Sequence, residues 1–359
     1  MKVSWQKYIL RFKFEAGTSR GILKEKTSYY IFISDEAGCT GIGECSLLPG
    51  LSPDDHPGFE NQIERLCTVV QPTDLQALEY LSAFLDLNIG YQWPAIRMGF
   101  ETALLDYLNG GDRIIYRNDF IKGEGIRING LIWMGNKSFM MQQVKEKIKS
   151  GYSCIKIKIG AIDFDSELKV LKYIRDRFSA EDMTIRVDAN GAFSPENVMS
   201  KLKQLEGLKI HSIEQPIAPG QWESMHDLCR KSPIPVCLDE ELIGDFTLEQ
   251  KSQLVQHIKP HFLILKPTLL GGLCCTEDWI DIAESNDTGW WITSALESNI
   301  GLNAICQFTY DREVLLEQGL GTGQLFHNNI DSPLEVVQGF IRNNPDKGWD
   351  LSILDIQGV

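Results

Sequence analysis

At 359 residues and 43% hydrophobic content, the chain is long enough to fold one large or two ordinary domains around sizeable cores. Its 49 acidic residues against 35 basic ones give a formal charge of −14, which excludes the basic footprint of a nucleic-acid binder and argues against docking on anionic lipid. No apolar run approaches about 18 residues, and the opening MKVSWQKYILRFKF has no long apolar segment, so a soluble, cytoplasmic protein with neither leader nor membrane span is expected.

The nine cysteines form no CxxC pair and no zinc spacing, and read as reduced, mostly buried thiols. The chain begins with strand patterns. Tyr8, Leu10, Phe12 and Phe14 alternate with Lys7, Arg11 and Lys13, and a second β-rich run, YYIFIS (Tyr29–Ser34), follows. GCTGIGECSLLPG (Gly38–Gly50) reads as strand and loop, with glycines and proline placed for tight turns. Helical patterns come next, over Asp54–Val70, Asp74–Leu87 and Pro94–Leu108. Strands followed by helices predict a compact α+β unit over residues 1–115.

From Arg127 the style changes. Short β-rich runs alternate with helical segments: IRINGLI, CIKIKIG, TIRVDAN, IHSIEQP, PVCLDEE, FLILKP, WWITSALES and the glycine-rich GLGTGQ. After TIRVDAN, Ser194 is placed to cap a helix with Pro195 at its first position. Eight such runs predict a closed (β/α) barrel over residues 125–331, although the pattern alone leaves a doubly wound open sheet in play.

The C-terminal ends of these runs carry Lys158, Asp188, Glu214, Asp239, Lys266 and Glu297, spaced 25–31 residues apart, about one βα unit each. Functional groups of a (β/α)8 barrel gather at that end of its strands. Alternation puts Lys156 and Lys158 on one inner face and Arg186, Asp188 and Asn190 on the next. Three carboxylates from consecutive strands suit a hard cation, Mg²⁺ or Mn²⁺. Lysines crowded beside one another and near a cation are expected to lose a proton more easily and so to act as bases. Together they suggest abstraction of a proton next to a carboxylate.

Taken in order, KIKIG, RVDAN, IEQP, LDEE and LKP, preceded by GIGECSLLPGLS, resemble the enolase superfamily, in its muconate lactonising subgroup, over essentially the whole chain. ITSALESNIG, GLGTGQLF and ECSLLPGLS are similar to its o-succinylbenzoate synthase family. The resemblance implies a modified (β/α)7β barrel with an N-terminal α+β capping domain, completed by the C-terminal tail 332–359. It implies Lys158 and Lys266 as catalytic lysines, Asp188, Glu214 and Asp239 as Mg²⁺ ligands, and Lys156, Asn190 and Glu240 in support. Ser294, Glu297, Gly321, Thr322, Arg20 and Leu48 are the implied substrate contacts, with Thr18–Gly21 and Ser46–Leu51 as covering loops. The implied reaction is a syn dehydration of 2-succinyl-6-hydroxy-2,4-cyclohexadiene-1-carboxylate in menaquinone biosynthesis, a carbon–oxygen lyase acting on a small carboxylate.

Other readings stay open at this point: an N-acylamino acid racemase or dipeptide epimerase, a muconate-type cycloisomerase, a barrel that binds without catalysis, or an open α/β binding protein. Oligomeric state is open too. His211 is expected to be structural. HExxH and Walker motifs are missing from the sequence, so zinc-protease and nucleotide chemistry have no support.

Overall fold

The computed structural model describes residues 1–18, 21–71, 80–160, 163–312 and 315–355. Strands β1 (Lys2–Thr18), β2 (Gly21–Ser34) and β3 (Thr40–Ser46) form an antiparallel sheet in that order. The unbroken apolar run in β2 is explained by burial on both faces. Tyr29, Ile31 and Ile33 pack with α1 (Phe59–Val70) and α3 (Pro94–Leu108), while Tyr30 and Phe32 pack with Ile300, Ile330 and Leu354. A short α2 (Leu81–Asn88) lies between those helices in the chain.

Helix α3 is buried along most of its length. It starts with Pro94 and is capped from a distance: Asp54 accepts from the Ala95 N–H at 2.9 Å and the Ile96 N–H at 3.4 Å. Gly41 and Gly43 do not make turns, as the sequence suggested. They sit inside β3, and a Cβ on Gly43 would lie 2.7 Å from the Ala103 nitrogen of α3, so the glycines let strand and helix backbones touch.

Beyond the cap, β5 (Gly130–Ile132), β6 (Cys154–Lys158), β7 (Thr184–Asp188), β8 (Ser212–Glu214), β9 (Val236–Leu238), β10 (Phe262–Leu265) and β11 (Gly289–Ile292) form one parallel sheet in chain order. Its edges are joined by the eighth run: Gln318 bridges to Ile128 and Gly319 to Thr293. The barrel's main crossover helices are α4 (Lys137–Lys149), α5 (Phe164–Arg175), α6 (Val198–Glu206), α7 (Trp222–Lys231), α8 (Leu248–Ile258), α10 (Leu273–Ser285) and α11 (Asn299–Tyr310). A single turn, α9 (Pro267–Leu270), follows β10.

Helix α6 begins later than Ser194 and Pro195 suggested. The Ser194 carbonyl accepts from the Asn197 and Val198 amides, closing a turn ahead of the helix. The tail divides. Strands β12 (Leu334–Val337) and β13 (Phe340–Asn343) pair with β4 (Gly125–Arg127) at the barrel's entry, whereas Trp349, Leu351 and Leu354 pack on the cap sheet.

Two buried carboxylates tie cap to barrel. Glu44 of β3 accepts from the Ser298 and Gly301 amides, each at 3.0 Å, and so caps α11. Glu101 of α3 accepts from the Leu273 and Cys274 amides at 2.6 and 2.9 Å and caps α10. The lower barrel is filled by Cys237, Ile264 and Trp291, with the Arg186 guanidinium 3.9 Å from the Trp291 ring centre and donating to the Glu317 carbonyl at 2.6 Å. All nine cysteines are free thiols, seven of them buried. Among the described residues, no helix is long and apolar enough to cross a membrane.

Candidate active site

Parallel register brings the charged residues to one level. Lys158 pairs with Asp188 on β7, and Asp188 with Glu214 on β8, while Lys156 sits one layer below beside Arg186. A carboxylate oxygen from each of Asp188, Glu214 and Asp239 lies within 4.8 Å of the others. Like charges this close need cations, and three lysines supply them. Lys156 Nζ hydrogen-bonds Glu214 and stands 3.1 Å from Asp188. Lys158 Nζ donates to Asn190 Oδ1 at 2.8 Å and is 3.4 Å from Asp188. Lys266 Nζ donates to both oxygens of Asp239, at 2.7 and 2.5 Å.

Asn190 adopts a left-handed conformation (φ 44°), one that asparagine tolerates better than most residues, and its amide donates to Glu240 at 2.9 Å. That bond ties the loop after β7 to the turn after β9.

The crowding expected to loosen protons acts otherwise on two of the lysines. Burial opposes charge on Lys156, but Asp188, Glu214 and Asp239 outweigh it and hold its pKa above the ordinary value. Burial likewise opposes charge on Lys266, where Asp239 and Glu240 prevail and raise it. The acids outnumber the neighbouring ammonium groups, so the sign reverses. Glu214 is pushed upward by burial, with Lys156 only partly offsetting it. Asp188, equally buried, is drawn below its usual range by Lys156, Lys158 and Lys266.

A cavity of about 430 Å³ opens over this cluster. Lys156, Lys158, Asp188, Asn190 and Lys266 line its base, and Leu23, Leu48, Leu51, Leu131, Trp133 and Leu325 its apolar roof and wall. Ser294, Gly321 and Thr322 also line it, but Glu297 is not brought to the wall. Glu297 is fully buried, accepting from Ser294 Oγ and Thr268 Oγ1 at 2.5 Å each. It therefore joins the turn after Lys266 to the loop after β11. With its proton committed to Glu297, Ser294 Oγ receives a bond from Thr322 Oγ1 at 2.7 Å. Arg20 and much of the expected Thr18–Gly21 loop lie outside the described residues. Leu131 and Trp133 were not singled out from sequence, though alternation along IRINGLIW carries the signal for Leu131.

Residues 140–354 match the family model described as Enolase C-terminal domain-like. The o-succinylbenzoate synthase of Desulfotalea psychrophila is 44% identical, over 95% of this chain and 98% of that protein. The chain belongs to the o-succinylbenzoate synthase family of the enolase superfamily. Within that superfamily its fold also matches the crystal structure of MenC from Desulfotalea psychrophila, with TM-score 0.86 and 39% identity over 95% of this chain and 99% of that one. The N-succinylamino acid racemase of Thermus thermophilus is more distant, 32% identical over 45% of this chain and 41% of that protein.

Proposed function

We propose that this chain is an o-succinylbenzoate synthase, dehydrating 2-succinyl-6-hydroxy-2,4-cyclohexadiene-1-carboxylate to 2-succinylbenzoate, a step of menaquinone biosynthesis. The near full-length identity to a synthase carries the reading. The site's chemistry supports it: two lysines on opposite sides of a barrel cavity, above a cluster of three carboxylates.

The donor set suits a divalent cation. Besides the closeness of the three acids, Glu214 Oε1 is buried with no hydrogen-bond partner among the described residues, as expected for an oxygen kept for a ligand. Asp188, Glu214 and Asp239 would hold Mg²⁺, or Mn²⁺ in its place. When bound, such an ion supplies positive charge against which a substrate carboxylate can become more negative as its α-proton leaves.

Lys158 takes that proton from C1 in this reading, its amine aimed by Asn190. The electron pair of the broken C–H bond forms the C1–C6 double bond as the C6–O bond breaks. Lys158, now an ammonium on the same face, passes its proton to the departing hydroxyl, which leaves as water. Lys266 remains a cation across the ring, anchored on Asp239. The apolar roof, from the cap at residues 1–115 and the barrel at 125–331, keeps bulk water from the reacting face.

The test is ultraviolet-monitored turnover of the cyclohexadiene carboxylate with Mg²⁺, then with EDTA, alongside Lys158→Ala. The expected result is conversion that EDTA abolishes and the variant lacks. Two opposed lysines also suit racemisation of N-succinylamino acids. α-Proton exchange from those compounds in D₂O, with no dehydration, would move the assignment there.

A further inference from the structure

We propose that Lys26 is a positioning residue for the dehydration. Its buried ammonium, facing both Glu44 of the cap and Glu297 of the barrel, fixes the direction of the hydroxyl chain that Glu297 holds at the cavity wall. The inference rests on the synthase reading.

Lys26 is the first buried residue of β2 and only 2% exposed. Lysine is almost never buried so fully unless it is paired. Alternation carries it, with Ser28 and Tyr30, onto the face of the sheet where Tyr30 packs with Ile300 of α11. Its Nζ donates to Ser46 Oγ and, at 3.4 Å, to Ser28 Oγ, and Ser28 in turn donates to Glu44 at 2.6 Å. Ser46 ends β3 and opens the loop whose Leu48 and Leu51 border the cavity.

The two acids converge from different parts of the fold. A Cβ on Gly301 of α11 would lie 2.9 Å from both Glu297 Cγ and Glu44 Oε2, so the two side chains meet at that glycine. Each accepts from backbone amides as an ionised carboxylate does: Glu44 from Ser298 and Gly301, and Glu297 from Ala295 at 3.1 Å. Two negative charges this close and away from water need a cation. Tyr30 on β2, Cys45 on β3 and Cys306 on α11 also face the pair, but burial holds all three well above their ordinary values and keeps them neutral. The positive charge comes from Lys26. Burial draws its amine below the ordinary lysine value, while Glu44 and Glu297 pull it back up.

The consequence reaches the cavity through hydroxyls. While Glu297 is ionised, Ser294 Oγ donates to it and Thr322 Oγ1 donates to Ser294, and both hydroxyls line the cavity. Each proton is committed to the next oxygen in the chain, which leaves Thr322 Oγ1 with lone pairs alone. A protonated Glu297 would donate a bond of its own, release the Ser294 proton and let the chain reverse, setting a donor where the native wall has an acceptor. A buried carboxylate stripped of its cation takes up a proton more readily as the pH falls.

The experiment measures kcat/KM for the cyclohexadiene carboxylate from pH 6 to pH 8 in wild type, Lys26→Met, Glu297→Gln and the double variant, each first shown to be folded by circular dichroism. The ratio of Lys26→Met to wild type is expected to fall about tenfold between pH 8 and pH 6, as the acid that has lost its cation takes up a proton. In the Glu297→Gln background the same substitution is expected to change kcat/KM by less than about twofold at every pH, because a neutral amide needs no cation. Lys26→Gln, which keeps a polar tip, replaces the methionine variant if that one is insoluble. A ratio that stays constant with pH, or an equal loss with and without the Glu297 charge, would overturn the inference while leaving the synthase reading intact. An inert wild type would overturn both.

Discussion

Replacing Glu44 with alanine should lower the stability of the whole molecule, although the residue is remote in sequence from the barrel helix that it caps. Glu44 is fully buried and accepts four hydrogen bonds: from Ser28 Oγ and Ser298 Oγ at 2.6 Å, and from the Ser298 and Gly301 amides at 3.0 Å. The two hydroxyls can turn to other acceptors, but the backbone amides cannot. Leaving a buried donor unsatisfied costs about 1–3 kcal/mol, so two orphaned amides amount to about 4 kcal/mol. For a chain of this length that is a fall in Tm of about 5 °C. Glu44→Gln retains one oxygen acceptor but turns an NH₂ toward the other donors, and should fall between the two. Scanning calorimetry at one fixed scan rate on all three proteins provides the measurement. A shift below about 1 °C for the alanine variant would refute the reasoning, because the amides would then have found other partners.

His211 should make stability depend on pH. Burial, and then the charge of Arg186, push its pKa down to about 4, so an unfolded chain protonates it near 6.5 while the folded one resists. The unfolded state binds the extra proton in that window; the contribution, at most about 3 kcal/mol, is complete above pH 6.5 and is lost as pH falls toward 4. Denaturant titrations at pH 7.5 and 4.5 should show a smaller loss on acidification for His211→Gln than for wild type; equal losses would count against it. Gly319→Ala should strain the barrel seam, since the new Cβ would collide with Thr293 Oγ1 and lie 2.8 Å from its Cγ2. A loss of about 1–3 kcal/mol is expected from overpacking, read by the same titrations, together with a raised KM because both residues line the cavity. An alanine variant with wild-type stability and KM would mean that the seam gives way freely.

The charged cluster was legible because parallel pairing preserves sequence periodicity. Once β6, β7 and β8 lie side by side in register, Lys158, Asp188 and Glu214 fall at one level, and their spacing in the chain reports that level directly. Glu44 and Glu101 were not legible. The amides they cap lie 254 to 257 and 172 to 173 residues away, and nothing local marks a carboxylate that will cap so distant a helix. Glu297 shows a different limit. A polar residue at a strand end can face the cavity or the layer behind it, and only the bonds to Ser294 and Thr268 decide which. The glycines of β3 fit both a turn and a close helix contact until α3 is in place.

Among the described residues, the packed lower barrel closes the cavity on the side away from the cap. With Arg186 laid against Trp291 and held to the Glu317 carbonyl, the passage away from the cap is filled by side chains rather than open to solvent. On the other side, Leu48 and Leu51 of the cap border the cavity. A dehydration sends out two products for each substrate admitted, an aromatic diacid and a water molecule. Exchange on the cap side therefore joins the pace of the cap's loops to the pace of turnover, and a slower solvent should be felt at product release before it is felt at the chemistry.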